Sequence, residues 1–314
     1  MNFKDIEIKN WIPIITLFVL VILLTIINPD FFSTYNLTSI FIQASVLMIL
    51  SSGVTFIILT GGIDLSIGAL ISLASVLIAV LLPQLGYLAF IIVILVGALA
   101  GLVNGLVITR GKVPSFIVTL GTSGIWLSIA YVLCNGKPIA LSTEFQHYNN
   151  WMTGKIFGIP NIVIIAITTV IIFWFILNNT TFGKYVYSIG NGERATILSG
   201  IKVNRIRTLA FMLNSTLVAF GGILLFGRLS AGNPNVGSSY LLPAIASVIV
   251  GGTDLTGGFG GIKRSIVGVF IITLIRNGMN VIGVEAFAQQ IVFGSIMIIF
   301  AALSMDREKI EILK

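Results

Sequence analysis

An eight-residue pattern recurs at two places and gives the chain its clearest chemical feature. Gly61-Gly62-Ile63-Asp64-Leu65-Ser66-Ile67-Gly68 returns 190 positions later as Gly251-Gly252-Thr253-Asp254-Leu255-Thr256-Gly257-Gly258. In the shared pattern G-G-x-D-L-[ST]-x-G, paired glycines let a backbone leave helical geometry at the end of a span. An acid followed two residues on by a hydroxyl supplies acceptors for the free amides that open the next helix. One reading is a paired turn-and-cap device; the other is a pair of broken helices beside a central path, as transporters with internal repeats show.

Missing chemistry narrows the field further. The single histidine, His147, and the single cysteine, Cys134, leave no metal cluster and no intrachain disulfide. Gly111-Lys112, Gly136-Lys137, Gly154-Lys155 and Gly183-Lys184 all lack the earlier glycine and the following Ser or Thr of a phosphate-binding loop. No G-x-S-x-G elbow occurs, and the 11 acids are scattered. Catalysis is therefore not expected, and neither is a cofactor.

Polar side chains set within apolar stretches form the second group of candidates: Gln43, Asn104, Asn214, Asn277, Asn280 and Arg276. Each is costly in hydrocarbon, so each should face another helix or a wet path. Asn104 lies beside Gly97, Gly101 and Gly105, a small-residue stripe spaced for close helix approach. Arg276, with Asn277 and Asn280 at i+1 and i+4, reads either as a functional cation within a span or as a structural one paired with Glu285 or with a backbone carbonyl. A translocation pathway is placed on Gln43, Asp64, Asn104, Asn214, Asp254 and Asn277.

The elements that must position these residues follow from composition. Of 314 residues, 56% are hydrophobic and 9% charged, against roughly 25% charged in a soluble domain. Apolar runs place ten spans near 11–28, 40–60, 65–82, 86–109, 115–134, 160–177, 208–227, 240–252, 264–283 and 288–303. The expected fold is an all-α polytopic membrane protein, with broken helices near 61–68 and 240–258. The eighth span is too short to cross unaided and would be continued by glycine-rich backbone. The first run is followed by Asn28-Pro29-Asp30-Phe31 rather than a small-x-small cleavage site, and is read as a retained helix.

With the N-terminus inside, fourteen of the 18 Lys and Arg fall in cytoplasmic segments, only Lys137, Lys155 and Arg228 outside, and Arg276 within a span. That asymmetry obeys the positive-inside rule and accounts for the net +7 without nucleic acid. Both G-G-x-D-L-[ST] copies then fall on the cytoplasmic side, so they are not equivalent points of a simple inverted repeat. Two connections are long. The outer one, about 135–159, carries Tyr148, Trp151 and Phe157, and reads either as an interfacial aromatic loop or as a docking surface for an external partner. The inner one spans about 178–207.

Three motifs in order, Thr60 to Gly68, Tyr187-Ser188-Ile189-Gly190-Asn191-Gly192-Glu193-Arg194-Ala195 running to Ser199-Gly200-Ile201, and Gly251-Gly252-Thr253 with Gly257-Gly258, resemble the ribose-type sugar permeases of ATP-binding-cassette importers. The resemblance covers nearly the whole chain. Permeases for branched-chain amino acids, nucleosides and autoinducer-2 share the broad architecture, and the G-G-I-D-L-S string is nearer the sugar branch. It implies one transmembrane permease domain over 1–314 in the bacterial cytoplasmic (inner) membrane, with both termini cytoplasmic. The implied function is import of a ribose-like pentose or a hexose by alternating access.

The implied partners are a second permease subunit, identical or paralogous, two cytoplasmic ATP-binding subunits and an extracytoplasmic binding protein; ATP is bound by partners only. By the same resemblance the loop at about 178–207 couples to the ATPase through Gly190, Asn191, Glu193, Ala195, Gly200 and Ile201. Independently, Glu193 to Ser199 reads as a short helix with an acid at its positive end, Gly200 ending it, and Ala195, Leu198 and Ile201 on one face. In this chain Gly192 intervenes between Asn191 and Glu193.

Overall fold

The computed structural model describes residues 3–27 and 29–304. Asn28, the C-terminus and the cations Arg307, Lys309 and Lys314 counted as inside lie outside the described residues. The helices, in chain order, are α1 (Phe3–Ile27), α2 (Thr34–Leu59), α3 (Ile67–Leu85), α4 (Leu88–Gly111), α5 (Ser115–Leu133), α6 (Asn150–Thr153), α7 (Asn161–Asn179), α8 (Thr181–Asn191), α9 (Glu193–Leu198), α10 (Val203–Leu229), α11 (Ser238–Val250), α12 (Ile262–Val281) and α13 (Ala286–Ser304). All but α6, α8 and α9 coincide with the expected spans. Two short antiparallel pairs interrupt the helical pattern: β1 (Ile139–Ala140) with β4 (Ala231–Gly232), and β2 (Lys155–Ile156) with β3 (Ile159–Pro160).

Helices α2, α3, α4, α5, α7 and α10 are each long and apolar enough to cross a membrane. The centre of the bundle is α2, which packs against α7, α10, α11 and α12; most of its residues from Ala44 onward are buried. The most intimate pair is α4 with α10. Gly97, Gly101 and Gly105 lie directly on the backbone of Thr208, Phe211, Met212 and Ser215, where an added Cβ would collide. That contact identifies the partner of the small-residue stripe and sets the close spacing that carries Asn104 and Asn214 toward one another. By contrast α5 and α7 bury little of their surface, and their outward side chains are mostly apolar.

Two segments leave helical geometry between buried elements, and both solve the same problem, because a backbone N–H in hydrocarbon needs an internal acceptor. Residues 60–66 run along the start of α5, where Ile63 N–H donates to Ser115 Oγ and Leu65 N–H to Thr119 Oγ1, each at 3.0 Å. Residues 230–237 run along α3, where Asn233 N–H donates to Ser75 Oγ at 3.1 Å and Gly237 N–H to Ser72 Oγ at 3.0 Å. These hydroxyls stand in for a missing helical ladder. The segments meet where Gly237 abuts Gly68. At 13 residues and about 1.5 Å per residue, α11 is about 20 Å long, short of the ~30 Å hydrocarbon core. It is continuous over its length, with the irregular backbone on either side, at 230–237 and 251–261.

Candidate functional site

The first G-G-x-D-L-[ST] copy closes α2. Gly61 N–H donates to Ile58 O at 2.8 Å and Gly62 N–H to Ile57 O at 3.1 Å, with Gly61 at φ +72°, a conformation that costs glycine little. Asp64 then folds forward. Its Oδ1 accepts the Ser66 N–H at 2.8 Å and the Ser66 hydroxyl at 2.6 Å, and its Oδ2 accepts Nδ2 of Asn214 on α10 at 2.9 Å. Ser66 Oγ in turn accepts Nδ2 of Asn104 on α4 at 3.2 Å. All four side chains are buried, so one carboxylate ties the lead-in of α3 to α4 and α10.

The second copy makes a similar turn one residue later in the motif and in a different setting. Gly252 takes φ +91°, with Gly252 N–H bonded to Ile249 O at 2.8 Å and Thr253 N–H to Val248 O at 3.1 Å. Asp254 Oδ1 accepts the N–H and the hydroxyl of Thr256, both at 2.9 Å. Here Asp254 is half-buried, Thr256 is exposed, and these bonds stay within the turn.

The two turns sit at the same end of the bundle and touch each other, since Gly258 N–H donates to Leu59 O at 3.0 Å. Helix α8 lies over the join at Gly190, where a Cβ would overlap both Gly258 N and Leu59 O. Asn191 lies against Gly258, and the Tyr187 hydroxyl donates to Gly260 O at 2.9 Å. Burial pushes the Tyr187 phenol up, against the pull of Arg264.

Beyond this join the chain forms the expected short helix, α9. Glu193 makes a two-pronged pair with Arg207 at the start of α10, at 2.8 and 3.2 Å. The guanidinium's hydrogen bonds hold the Glu193 carboxyl below the usual carboxylate range. Thr196 faces inward, its hydroxyl bonded at 2.8 Å to Ser188 O and to Gly192 O. The opposite face presents Ala195, Ile197 and Leu198, with Ile197 54% and Leu198 86% exposed. Gly200 ends the helix at φ +80°, its N–H on Ile197 O at 2.9 Å and that of Ile201 on Thr196 O at 3.3 Å. Asn191, Glu193, Ala195 and Gly200 are thus at the surface, Ile201 is half-buried, and Gly190 faces the bundle. A cavity of about 440 Å³ opens between α9 and the first turn, lined by Gly61, Gly62, Thr109, Lys112, Glu193 and Arg207 among others.

Of the six pathway candidates, Asp64, Asn104 and Asn214 come together. Gln43 bonds to Ser39 Oγ one turn back at 3.0 Å, Asn277 to Asn36 Oδ1 at the far end of α2 at 2.9 Å, and Asp254 stays in its own turn. Arg276 takes the carbonyl alternative, donating to Ser239 O at 2.8 Å with its guanidinium over Tyr240 and Phe293 at 5.7 and 5.5 Å. Sequence reasoning missed the roles of Ser66 as a hub and of Arg207 as the partner of Glu193. It also missed a stripe on α5, Gly121, Gly124 and Ser128, which is exposed; the two glycines have no atoms within 4 Å of a would-be Cβ. The signal was present as small residues at i, i+3 and i+7 on a span. No group of three metal-ligating side chains occurs among the described residues.

This arrangement, a bundle of apolar helices interrupted by two non-helical segments and joined at one end to a protruding short helix, suits a device that moves a solute. A family profile described as the permease component of a branched-chain amino acid transport system matches residues 36–301. The chain belongs to this permease family. The permease is 39% identical over 301 residues to the ribose import permease protein of Bacillus subtilis (strain 168), covering 95% of this chain and 92% of that one. It is 37% identical to the galactose/methyl galactoside import permease protein of Haemophilus influenzae, over 91% and 92% of the two chains. Against the D-allose transport system permease protein of Escherichia coli (strain K12) the identity is 33%, over 93% and 90%. No solved structure is a significant match. The permease is a multi-pass membrane component of a larger transport system, without a cofactor of its own, and its role is translocation rather than catalysis.

Proposed function

We propose that this permease is the membrane subunit of an ATP-binding-cassette importer for a ribose-like pentose or a hexose, as a single domain over 1–314 in the bacterial cytoplasmic membrane with both termini inside. The observation that carries the reading is α9. A helix of six residues is held rigidly to the bundle by Glu193–Arg207 and Thr196, while Ile197 and Leu198 stand out from it uncovered. Exposed apolar side chains on a fixed helix are a docking element, and here the partner is a cytoplasmic ATPase. Two such subunits would engage a dimer of permeases, identical or paralogous, with substrate delivered by an extracytoplasmic binding protein.

In this reading the coupling segment 178–207 divides its labour. Asn191, Ala195, Gly200 and Ile201, with Leu198, form the outward side, Glu193 fixes α9 to α10, and Gly190 transmits displacement to both glycine turns because it has no clearance from either. ATP binding and hydrolysis would then shift the populations of outward- and inward-open states. The path itself we place along the exposed Gly121, Gly124 and Ser128 stripe of α5, which presents backbone and one hydroxyl between the apolar side chains that face outward on the rest of the helix. Asp64, Asn104 and Asn214 stand behind it, through the Ser115 and Thr119 bonds, and position it; Asn277 braces α12 against α2, while Gln43 and Asp254 fix the local geometry of their own helix and turn.

ATP-dependent uptake of labelled sugars into proteoliposomes tests the reading, with the chain reconstituted alongside its ATPase and binding protein. Uptake should require all three parts and fail in Leu198→Glu, which also loses ATPase association. Uptake by the chain alone, driven by an ion gradient and indifferent to Leu198, would overturn it.

A further inference from the structure

The hairpin formed by β2 and β3 breaks a local rule. Its two-residue turn, Phe157-Gly158, holds both residues at positive φ, +50° and +80°. Asn-Gly or Asp-Gly is favoured in that geometry, because a bulky side chain is strained there. Phenylalanine nevertheless takes the first position, and its ring is 99% exposed, more than any other large apolar side chain among the described residues. A residue strained in its backbone and unburied by its own chain has its partner elsewhere.

The surroundings of the hairpin identify that partner. It feeds directly into α7, with Asn161 N–H on Gly154 O at 2.9 Å and Asn161 Nδ2 on Trp151 O at 3.1 Å. Outward from α7 point Ile167, Ile171 and Phe175. Trp151 packs edge-on against Phe90 of α4 at 5.6 Å, and α4 turns Leu88, Ile91 and Leu95 outward below it. The tip therefore crowns two continuous apolar faces of a membrane protein, where aromatic side chains gather at the headgroup level. Away from it, on the α5 side, the same loop is occupied by the β1–β4 pair and by the Tyr131 hydroxyl bonded to Asn235.

We propose that Ile156-Phe157-Gly158-Ile159 is a lipid anchor: Phe157 enters the boundary between headgroups and acyl chains, and Lys155, exposed at the base of the hairpin, meets lipid phosphate. The apolar tip beside a cation matches the layered chemistry of a leaflet surface. The proposal is independent of which solute is carried. It also divides the outer loop between its two sequence readings, interfacial at the α7 end and open to a protein partner at the α5 end.

Full-length permease in phosphatidylcholine–phosphatidylglycerol vesicles tests this. Phe157→Cys in a Cys134→Ala background carries an NBD probe, and Gln146→Cys, exposed on the same loop, carries the control probe. At position 157 the emission should be blue-shifted and quenched several-fold more by lipids spin-labelled near the headgroup than at position 146. A probe at 157 that matches the control and is quenched by aqueous iodide overturns the proposal. So does one that becomes shielded only when the binding protein is added, which would make the tip a protein-docking surface. A second arm leaves Cys134 in place: Phe157→Asn suits the turn and should be as stable as the parent in lipid-free detergent, while gaining less on adding phospholipid. Equal gains from lipid in both proteins would also refute the anchor.

Discussion

Asp64 and Asp254 make the same turn with the same partners two residues on, so replacing each by alanine separates what the motif contributes from what burial adds. At Asp64 the loss strands three donors at once: the Ser66 N–H, the Ser66 hydroxyl and Asn214 Nδ2. The hydroxyl can rotate to another acceptor, but the amide and the buried Asn214 cannot readily do so. At about 1–3 kcal/mol for each buried donor left unpaired, less the relief of no longer burying a carboxylate, the net cost of Asp64→Ala is about 3 kcal/mol. At Asp254, Thr256 is exposed, so water replaces the lost acceptor and the cost is about 0.5–1 kcal/mol, as for an ordinary cap. Thermal unfolding of the purified permease in detergent should separate the two midpoints by roughly 5 °C. Asp64→Asn should fall between them: its oxygen still accepts from Ser66, and Asn214, whose Oδ1 has no partner, can flip to accept the new amide. Equal shifts for Asp64→Ala and Asp254→Ala would refute the reasoning, because burial would then not be what distinguishes the copies.

Four further outcomes follow from the same geometry. Gly101→Leu should abolish folded protein on size-exclusion chromatography, since even a Cβ there meets Met212 Cα at 2.6 Å and prises α4 from α10. Gly121→Val, with open space around it, should leave the unfolding midpoint within about 0.5 kcal/mol of the parent, the usual range for surface substitutions, yet reduce uptake if α5 lines the path; unchanged uptake would remove α5 from it. Gly190→Ala, whose Cβ would overlap both Gly258 N and Leu59 O, should lift α8 off the join and lower the thermal midpoint, whereas Gly192→Ala, whose Cβ meets nothing nearer than 3.8 Å, should not; equal midpoints would show that α8 does not bear on the turns through Gly190. The Glu193–Arg207 pair sets a pH dependence: because the folded carboxyl titrates below its unfolded value of 4.5, its stabilisation is present above that value and disappears as pH falls through the lower folded one. Half-exposed as it is, the pair contributes no more than about 1 kcal/mol. Thermal midpoints of the parent and of Arg207→Leu should therefore differ at neutral pH and converge in acid.

The helices were legible because each depends on a property local in sequence. Apolar runs long enough to cross a bilayer located the spans, and Glu193 with Gly200 located α9, since charge at a helix start and a left-handed glycine at its end act within a few residues. Pairings between elements were not legible. Asn104 and Asn214 read as two separate amides in two separate spans, and only the contact of Gly97, Gly101 and Gly105 with α10 sets both beside Asp64. Helix α8 was hidden for a related reason: at 11 residues it neither spans a membrane nor carries a strong start signal apart from Thr180, whose Oγ1 accepts the Gly183 N–H at 3.3 Å.

Irregular backbone was legible only in part, and the physical reason points to a better sequence signal. Gly-Gly announced where α2 and α11 end, yet nothing in residues 230–237 announced that this segment lies against α3, because its needs are met from outside. Ser72 and Ser75 on α3, and Ser115 and Thr119 on α5, each accept a backbone N–H from a non-helical neighbour. Each pair is three or four residues apart, so its hydroxyls share one helix face about 5 to 6 Å apart; on α5 they take the alternate amides of Ile63 and Leu65, and on α3 they take those of Asn233 and Gly237, which the turn at 234–237 brings within reach. On α3 and α5 such a Ser/Thr pair inside an apolar span marks the helix face along which non-helical backbone lies, whereas the Ser51 and Thr55 pair on α2 meets helices, at Ala244 O and Ser265 Oγ. The hydroxyls specify the neighbour more directly than any residue in the neighbour itself. Replacing Ser72 and Ser75 together by alanine should accordingly destabilise the permease more than removing Ser123, whose hydroxyl bonds only to Leu120 O within its own helix; equal effects on the unfolding midpoint would show that the hydroxyls do not hold the segment.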